Sequence, residues 1–526
     1  MRPLLLALAL SFAQDPPPGE LLPNGIRLPA EWPPRPKEAP AGLIVPPYLQ
    51  SPPAVLPIDL GRQLFVDDFL IAETTLKRTF HSATYHPKSP VLRPDKAWEE
   101  DKAGGVAMSF SDGVWFDPRD RLFKMWYMAG SARHTCLATS KDGLVWEKPE
   151  LDVKPGTNIV QSGSRDSSTV WLDLEEKDPA RRYKMFRSGP GASTVPKAYG
   201  LATFFSPDGI HWSDPPLKTG SCGDRSTVFW NPFRKVWVYS LRHGWGEPRR
   251  RRYWEMKDPA TGPAWSAIGE PGWWAGADEL DPMREDYKVP CQLYNLDGVA
   301  YESLILGLFT VWRGQFPDRQ KPNEVCVGFS RDGWNWSRPD RRAFLPVSET
   351  FGDWNYSNVQ SVGGGCLVVG DELWFYVSGR SGAAKGSSKQ GTCVTGLATL
   401  RRDGFASMDA GSEPGTLTTR LLTFQGSRIF VNADVSEGEL GVEVLDGDRT
   451  VRTSTPIRAN GTKLPVAFKE GDLTGLAGKP LKLRFNLKQG RLYSFWVSSD
   501  AGGASGGYAA GGGPGFDGPR DLPPGK

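Results

Sequence analysis

A seven-residue pattern, S-x-D-G-x-x-W, returns along the middle of this chain and restricts its fold more than any other feature. It reads Ser140-Lys-Asp-Gly-Leu-Val-Trp146, Ser206-Pro-Asp-Gly-Ile-His-Trp212 and Ser330-Arg-Asp-Gly-Trp-Asn-Trp336. A fainter copy spans Arg401 to Met408, and a more divergent one starts at Tyr253 and ends at Trp265. With Trp146, Trp212, Trp265, Trp336 and Met408 as markers, the intervals are 66, 53, 71 and 72 residues. The chemistry of the pattern is local. Asp-Gly supplies a hairpin turn with positive φ, the Ser and Asp side chains bond turn amides, and the Trp fills the gap between sheets.

Each marker follows a β-rich unit. Val114-Trp-Phe-Asp-Pro precedes Leu122 to Tyr127, Thr169 to Asp173 precedes Tyr183 to Phe186, and Thr227 to Pro232 precedes Val236 to Tyr239. Tyr301 to Leu306 and Leu373 to Val377 mark the fourth and fifth units. Five sheet-forming units without helical periodicity imply radial repetition, so the expected fold is all-β, a five-bladed β-propeller over residues 58–417. Tandem sandwiches would not require one marker per sheet. From about Thr418 the marker is gone and apolar residues alternate, as at Leu481, Leu483, Phe485 and Leu487. This predicts a small β-sandwich over 418–500 that follows the propeller.

The ends read differently. Met1-Arg2-Pro3, an apolar run from Leu4 to Leu10 and Ser11-Phe12-Ala13 describe a secretory signal over residues 1–13, hence a secreted or periplasmic protein. That run is too short to anchor in a bilayer, and no later stretch predicts a membrane span. Fourteen prolines in the 43 residues from Asp15 to Pro57 predict an extended linker over 14–57. Ten glycines in the last 26 residues predict a flexible tail over 501–526.

Composition narrows the function classes. Lys and Arg number 63 against 60 Asp and Glu, for a formal net charge of +3, so no global electrostatic case for nucleic acid exists. Five histidines without ligand spacing and six scattered cysteines argue against a zinc site and a disulfide scaffold. Cys136, Cys326 and Cys393 stand at near-equivalent places in separate units, which favours buried thiols over bridges. Neither metal nor organic cofactor is expected.

The carboxylates carry the chemistry. Asp112, Asp166 and Asp224 stand 54 and 58 residues apart, close to one per unit, and Asp166-Ser-Ser-Thr-Val nearly repeats as Asp224-Arg-Ser-Thr-Val. A propeller aims the first residues of its inner strands into a central funnel, where two acids flanking one bond can cleave a glycoside. A strand-start Asp also caps turn amides without any substrate.

These five units, the leader and the trailing sandwich resemble the glycoside hydrolases of families 32, 43 and 68, the invertases, arabinanases and levansucrases. Ser111-Asp112-Gly113-Val-Trp-Phe is similar to the first motif of family 32, W-M-N-D-P-N-G, with two residues missing, and Ser140 to Trp146 is similar to S-x-D-L-V-H-W. Gly223-Asp224-Arg225 resembles the R-D-P segment that orients the sugar. The resemblance implies Asp112 as base or nucleophile, Asp224 as stabiliser and Asp166 as an auxiliary carboxylate. The acid motif E-C-P-D-L-F is closest to Val289-Pro-Cys-Gln-Leu-Tyr294, which has valine in the acid's place. Glu302, ahead of Asp286 and Glu285, is the expected replacement, because desolvation on an apolar strand raises a carboxyl pKa.

Arg225, His243, Trp354 and Tyr356 are the expected substrate contacts. The run Arg249 to Arg252 reads as a solvated face, or as a grip on a sulfated or carboxylated glycan. The expected activity is therefore a secreted glycoside hydrolase acting on an oligo- or polysaccharide. The alternative is a propeller that binds glycan or protein without catalysis, having lost the family's acid.

Overall fold

The computed structural model describes residues 19–525 apart from 40, 41, 101, 103, 215, 244–247, 262–264, 267, 268, 316, 387 and 388. The expected leader, residues 1–13, lies outside the described residues. The regular secondary structure among these residues is nearly all strand, with a single α-helical turn at Pro47–Gln50 and three short 3-10 turns.

The three full repeats form the same hairpin. The Ser206 hydroxyl accepts the Gly209 amide at 2.8 Å, and Asp208 Oδ1 accepts the amides of Ile210 and His211 at 2.8 and 2.9 Å. Ser140 with Asp142, and Ser330 with Asp332, repeat these bonds. Gly209 sits at φ +79 against the Trp126 ring, which leaves no room for a Cβ. The fainter copy departs from the rule. Asp403 itself takes the positive φ, and its carboxylate accepts from Arg62, Tyr301 and Ser494 in the interior.

Five sheets carry the repeats. The first comprises Ala107–Met108, Val114–Asp117, Leu122–Ala129, His134–Ser140 and Ile159–Ser162. The second comprises Ser168–Leu172, Tyr183–Pro190, Tyr199–Ser206 and Leu217–Lys218, and the third Thr227–Asn231, Val236–Arg242, Arg251–Met256 and Gly272–Trp273. Gln292–Glu302, Leu304–Trp312 and Glu324–Ser330 make the fourth. Asn358–Gln360, Leu367–Val369, Glu372–Arg380 and Cys393–Arg401 make the fifth, closed by Thr84–Tyr85 from the other end of the chain.

Successive sheets touch, and the fifth returns to the first. Trp126 Nε1 donates to the Gly209 carbonyl, the Thr227 hydroxyl to the Leu296 carbonyl, and the Val359 amide to the Asn323 carbonyl. Ser167 Oγ reaches the Ser226 carbonyl. The Tyr376 hydroxyl donates to Gly143 of the first sheet at 2.7 Å, and the amides of Ser109 and Phe110 donate to Thr395 and Ser378 of the fifth. One apolar core runs through these sheets, with Trp126, Trp171, Trp237, Phe309 and Phe375 among its buried members. Cys136, Cys326 and Cys393 are buried free thiols on corresponding strands.

Two further sheets enclose a second core in which Phe65, Phe485 and Phe495 meet. The expected boundary at 418 is corrected here. Gln63–Leu64, Ile71–Thr74 and Lys77–Phe80 from the N-terminal side, with Ala406–Ala410 and Gly415–Thr419, pair into these sheets. This unit therefore takes strands from both flanks of the five sheets instead of simply following them. Two- to five-residue strands are too short for alternation to betray them.

Both terminal expectations are corrected as well. The proline-rich stretch is docked from residue 19 onward: Leu22, Ile26, Leu28, Tyr48 and Leu56 are buried, and Leu56–Pro57 pairs with Leu422–Thr423. Proline removes donors, but the apolar residues between prolines still gain by burial. The glycine-rich end is packed too. Tyr508–Ala509 adds a strand beside Gln292–Glu302, while Gly511 and Gly512 bond to Phe116, Cys366 and Val368 of the first and fifth sheets. Gly513 has the Val368 carbonyl oxygen where a Cβ would stand, and Gly511 has three carbonyl oxygens crowding that point at 3.0–3.3 Å, so glycine here permits close approach rather than flexibility.

Candidate functional site

Polar residues in or beside the strands of the first, third, fourth and fifth sheets converge. Asn295 Nδ2 donates to Ser111 Oγ at 3.1 Å, to Asp297 Oδ2 at 2.9 Å and to Ser361 Oγ at 3.4 Å, joining the first, fourth and fifth sheets. Arg225 Nη2 reaches Ser361 Oγ at 2.5 Å, and its guanidinium lies 3.7 Å from the Phe110 ring centroid and 5.4 Å from that of Tyr294. Phe110, Arg225 and Ser361 all sit at φ between 51 and 62, a left-handed strain gathered at one place.

Asp166 and Asp224 stand at this end. Asp166 Oδ1 accepts the amides of Ser167 and of Arg225, at 2.8 and 3.2 Å, so the residue after Asp224 ties the two acids together. Asp224 is ion-paired with Arg242. Their side chains keep 28% and 17% of their surface exposed, enough to meet a ligand.

Asp112 differs, which corrects its expected role as base or nucleophile. It is wholly buried, and Arg165 occupies both carboxylate oxygens at 2.6 and 2.7 Å. Burial pushes its pKa up, against the pull of Arg165. A carboxylate without solvent access and with both oxygens engaged cannot reach a sugar.

Glu302 is corrected as well. It lies at the far end of the eleven-residue strand Gln292–Glu302, eight positions beyond Tyr294, or roughly 26 Å along an extended strand. Glycosidase carboxyls work about 5–9.5 Å apart. Glu302 instead accepts from the Arg62 amide, from Arg402 and from Ser505, locking the C-terminal segment to the core. Burial does raise its pKa, with Arg402 and Arg62 opposing, but the group faces no opening.

The expected contacts divide. Arg225 is at the centre of the site. His243 follows Arg242 on the chain, accepts Arg252 Nε at its Nδ1 at 2.9 Å and lies against Trp273. Tyr356 lies under Arg319, with the guanidinium 4.4 Å from its ring. Trp354 is no sugar platform. Gly379 and Gly396 lie against its ring and Tyr85 caps it, so it packs strand against strand. The arginine run is not a solvated face either. Arg251 is fully buried, donating to Ser240 and to the Arg225 carbonyl, and Arg252 is nearly so.

Sequence reading singled out Arg249 only within the arginine run and missed Lys321 and Arg380; all three surround Tyr294 together with Arg225. Arg249 and Lys321 lie 5.5 and 5.4 Å from the Tyr294 ring, and Lys321 Nζ is 3.4 Å from its hydroxyl. Burial pushes the Tyr294 phenol up, but Lys321, Arg225 and Arg380 outweigh it and bring the pKa below the usual value. These cations come from four separate segments, so no local motif announces them.

No protein-family model matches this chain, and no curated protein matches it. Among the similar solved structures is an N-acetylgalactosamine deacetylase from F. plautii in complex with blood group B trisaccharide, 14% identical, covering 61% of this chain and 96% of its own, with a TM-score of 0.44. Another is the α-L-arabinofuranosidase of Podospora anserina in complex with cellotriose, 11% identical over 61% of this chain and 98% of its own, with a TM-score of 0.40. A thermostable family-43 glycoside hydrolase is 11% identical over 59% and 95%, with a TM-score of 0.39. The similar structures thus include family-43 and related enzymes, the group the sequence resembles.

Among the described residues, no group of three or more His, Cys, Asp or Glu is arranged to hold a metal ion, and no helix is long and apolar enough to cross a membrane.

Proposed function

We propose that the five sheets are the blades of one β-propeller, that the two sheets around the second core form a β-sandwich beside it, and that the mouth at Asp166 and Asp224 cleaves glycosidic bonds. The observation that carries this reading is the pairing of two partly exposed carboxylates across adjacent sheets through the Arg225 amide. The ion pair with Arg242 fixes the Asp224 carboxyl in place, and we assign it the base or charge-stabilising role. Asp166, the second partly exposed carboxyl, is the partner that would complete the pair, and acid–base catalysis by such a group contributes about 10²–10⁴-fold.

A second reading has its own support. Glu302 is enclosed far from the mouth, and Val289 stands where the resembled family has its acid, which favours a propeller that binds glycan without cleaving it. A screen of the protein against a glycan library separates the two. Hydrolysis expects products that vanish in Asp224→Asn and in Asp166→Asn while both variants keep the parent's unfolding midpoint. Binding without any product, unchanged in Asp166→Asn, sinks the hydrolytic reading.

Export is part of the proposal, supported by the basic start and the short apolar run from Leu4 to Leu10. N-terminal sequencing of protein recovered outside the cytoplasm expects a start just after Ala13; an intact Met1 there counts against it.

A further inference from the structure

The mouth holds more positive charge than its own acids neutralise. Arg225, Arg242, Arg249, Arg380 and Lys321 face Asp166, Asp224 and the Tyr294 phenol. Deeper in, Arg251 is repelled by Arg225 and Arg242, while Asp297 is taken by Asn295 and the Val362 amide. Burial pushes Arg225, Arg242 and Arg249 below their ordinary values, with Arg380 adding to the effect at Arg225 and Arg249 adding to it at Arg242.

Arg225 adds an independent observation. Its side chain is only 2% exposed, yet Nε and Nη1 make no hydrogen bond among the described residues, and Nη1 stands 3.8 Å from Asp166. A buried guanidinium with donors unspent is costly unless something supplies acceptors. Nearby on the inner strand of the fifth sheet, both amide atoms of the buried Gln360 are equally without partners. Above Arg225, the half-buried Arg249 and Lys321 approach Tyr294 from different sheets, and Arg249 is braced by Gln292 at 2.8 Å. Guanidinium forks with an adjacent ammonium match the oxygens of a carboxylate or a sulfate.

We propose that this mouth takes an acidic saccharide, whose oxyanion sits beside Arg249, Lys321 and the Tyr294 hydroxyl with Arg225 beneath. The inference rests on the reading of this mouth as a glycan site and names the substrate class that site selects. Carboxylated and sulfated sugars share the recognising chemistry, and the test tells them apart.

The test is affinity electrophoresis of the intact protein in gels containing polygalacturonate, chondroitin sulfate or neutral dextran. Retardation by one or both polyanions and none by dextran is expected, and the polymer bound more tightly identifies the oxyanion. The double variant Arg249→Gln with Lys321→Gln should bind at least ten-fold more weakly, with its unfolding midpoint near the parent's. A charge-matched control, Arg449→Gln with Lys463→Gln on the exposed far sheets, should bind as the parent does. Equal retardation by dextran, or an equal loss in the control pair, overturns the inference. Polyanion binding without product keeps it while defeating hydrolysis. Cleavage of neutral glycans alone does the reverse.

Discussion

Arg165 closes on Asp112 with both terminal nitrogens, at 2.6 and 2.7 Å, and neither side chain exposes more than 1% of its surface. The pair stitches the start of the second sheet to the inner turn of the first, where the Asp112 carbonyl also accepts the Val170 amide at 2.7 Å. Removing one partner strands a buried charge. Asp112→Ala is therefore expected to cost about 3–5 kcal/mol. Chemical denaturation against Asp224→Asn checks it: a catalytic Asp112 would instead give a normally stable, inactive protein.

Gly209 tests the repeat. Alanine there suffers left-handed strain of about 1–2 kcal/mol, and its Cβ meets the Trp126 ring, adding about 1–3 kcal/mol of overpacking. Gly156 has a similar φ of +74 but nothing within 4 Å. Gly156→Ala should show the strain alone, so the difference between the two thermal midpoints measures how tightly the hairpin plugs its neighbour.

Acid should weaken the first sheet through Asp117. Against the upward push of burial, Tyr183, Lys124 and Arg182 hold its carboxyl down at about 2, from an ordinary 3.8. Between those values the unfolded chain binds the extra proton, so this contribution is complete above about 4 and fades as pH falls through 2. Urea midpoints at pH 4, 3 and 2 should fall less steeply in Asp117→Asn than in the parent. Equal slopes would mean that the ion pair contributes nothing.

Glu302 should prove a fastener. Glu302→Gln removes one of the two carboxylates paired with Arg62 and with Arg402 and loosens the hold on Ser505, so cleavage by a protease within 501–525 is expected to quicken. The saccharide binding proposed for the mouth should stay as it was. Loss of binding with an intact C-terminal segment would return Glu302 to the site.

How much of this was legible beforehand depends on range. The hairpins were, because Ser206, Asp208 and Gly209 satisfy one another within four residues and need no distant partner. The five strand-rich units were legible from the same repetition, since each unit carries its own turn chemistry and strand pattern. The roles of Asp112 and Glu302 were not legible. A sequence shows that a carboxylate exists but not whether Arg165 or Arg402 will occupy it, and those partners lie 53 and 100 positions away. The terminal segments misled for a related reason. Proline and glycine raise the local freedom or stiffness of a chain, but whether it docks depends on grooves built elsewhere, here by Val368, Cys366 and Phe116. The chain by itself determined the turns and the alternation of its strands, because those energies are local. Which charges meet at the mouth, and which are sealed inside, was decided only by tertiary packing, because desolvation and ion pairing depend on neighbours brought together from across the sequence.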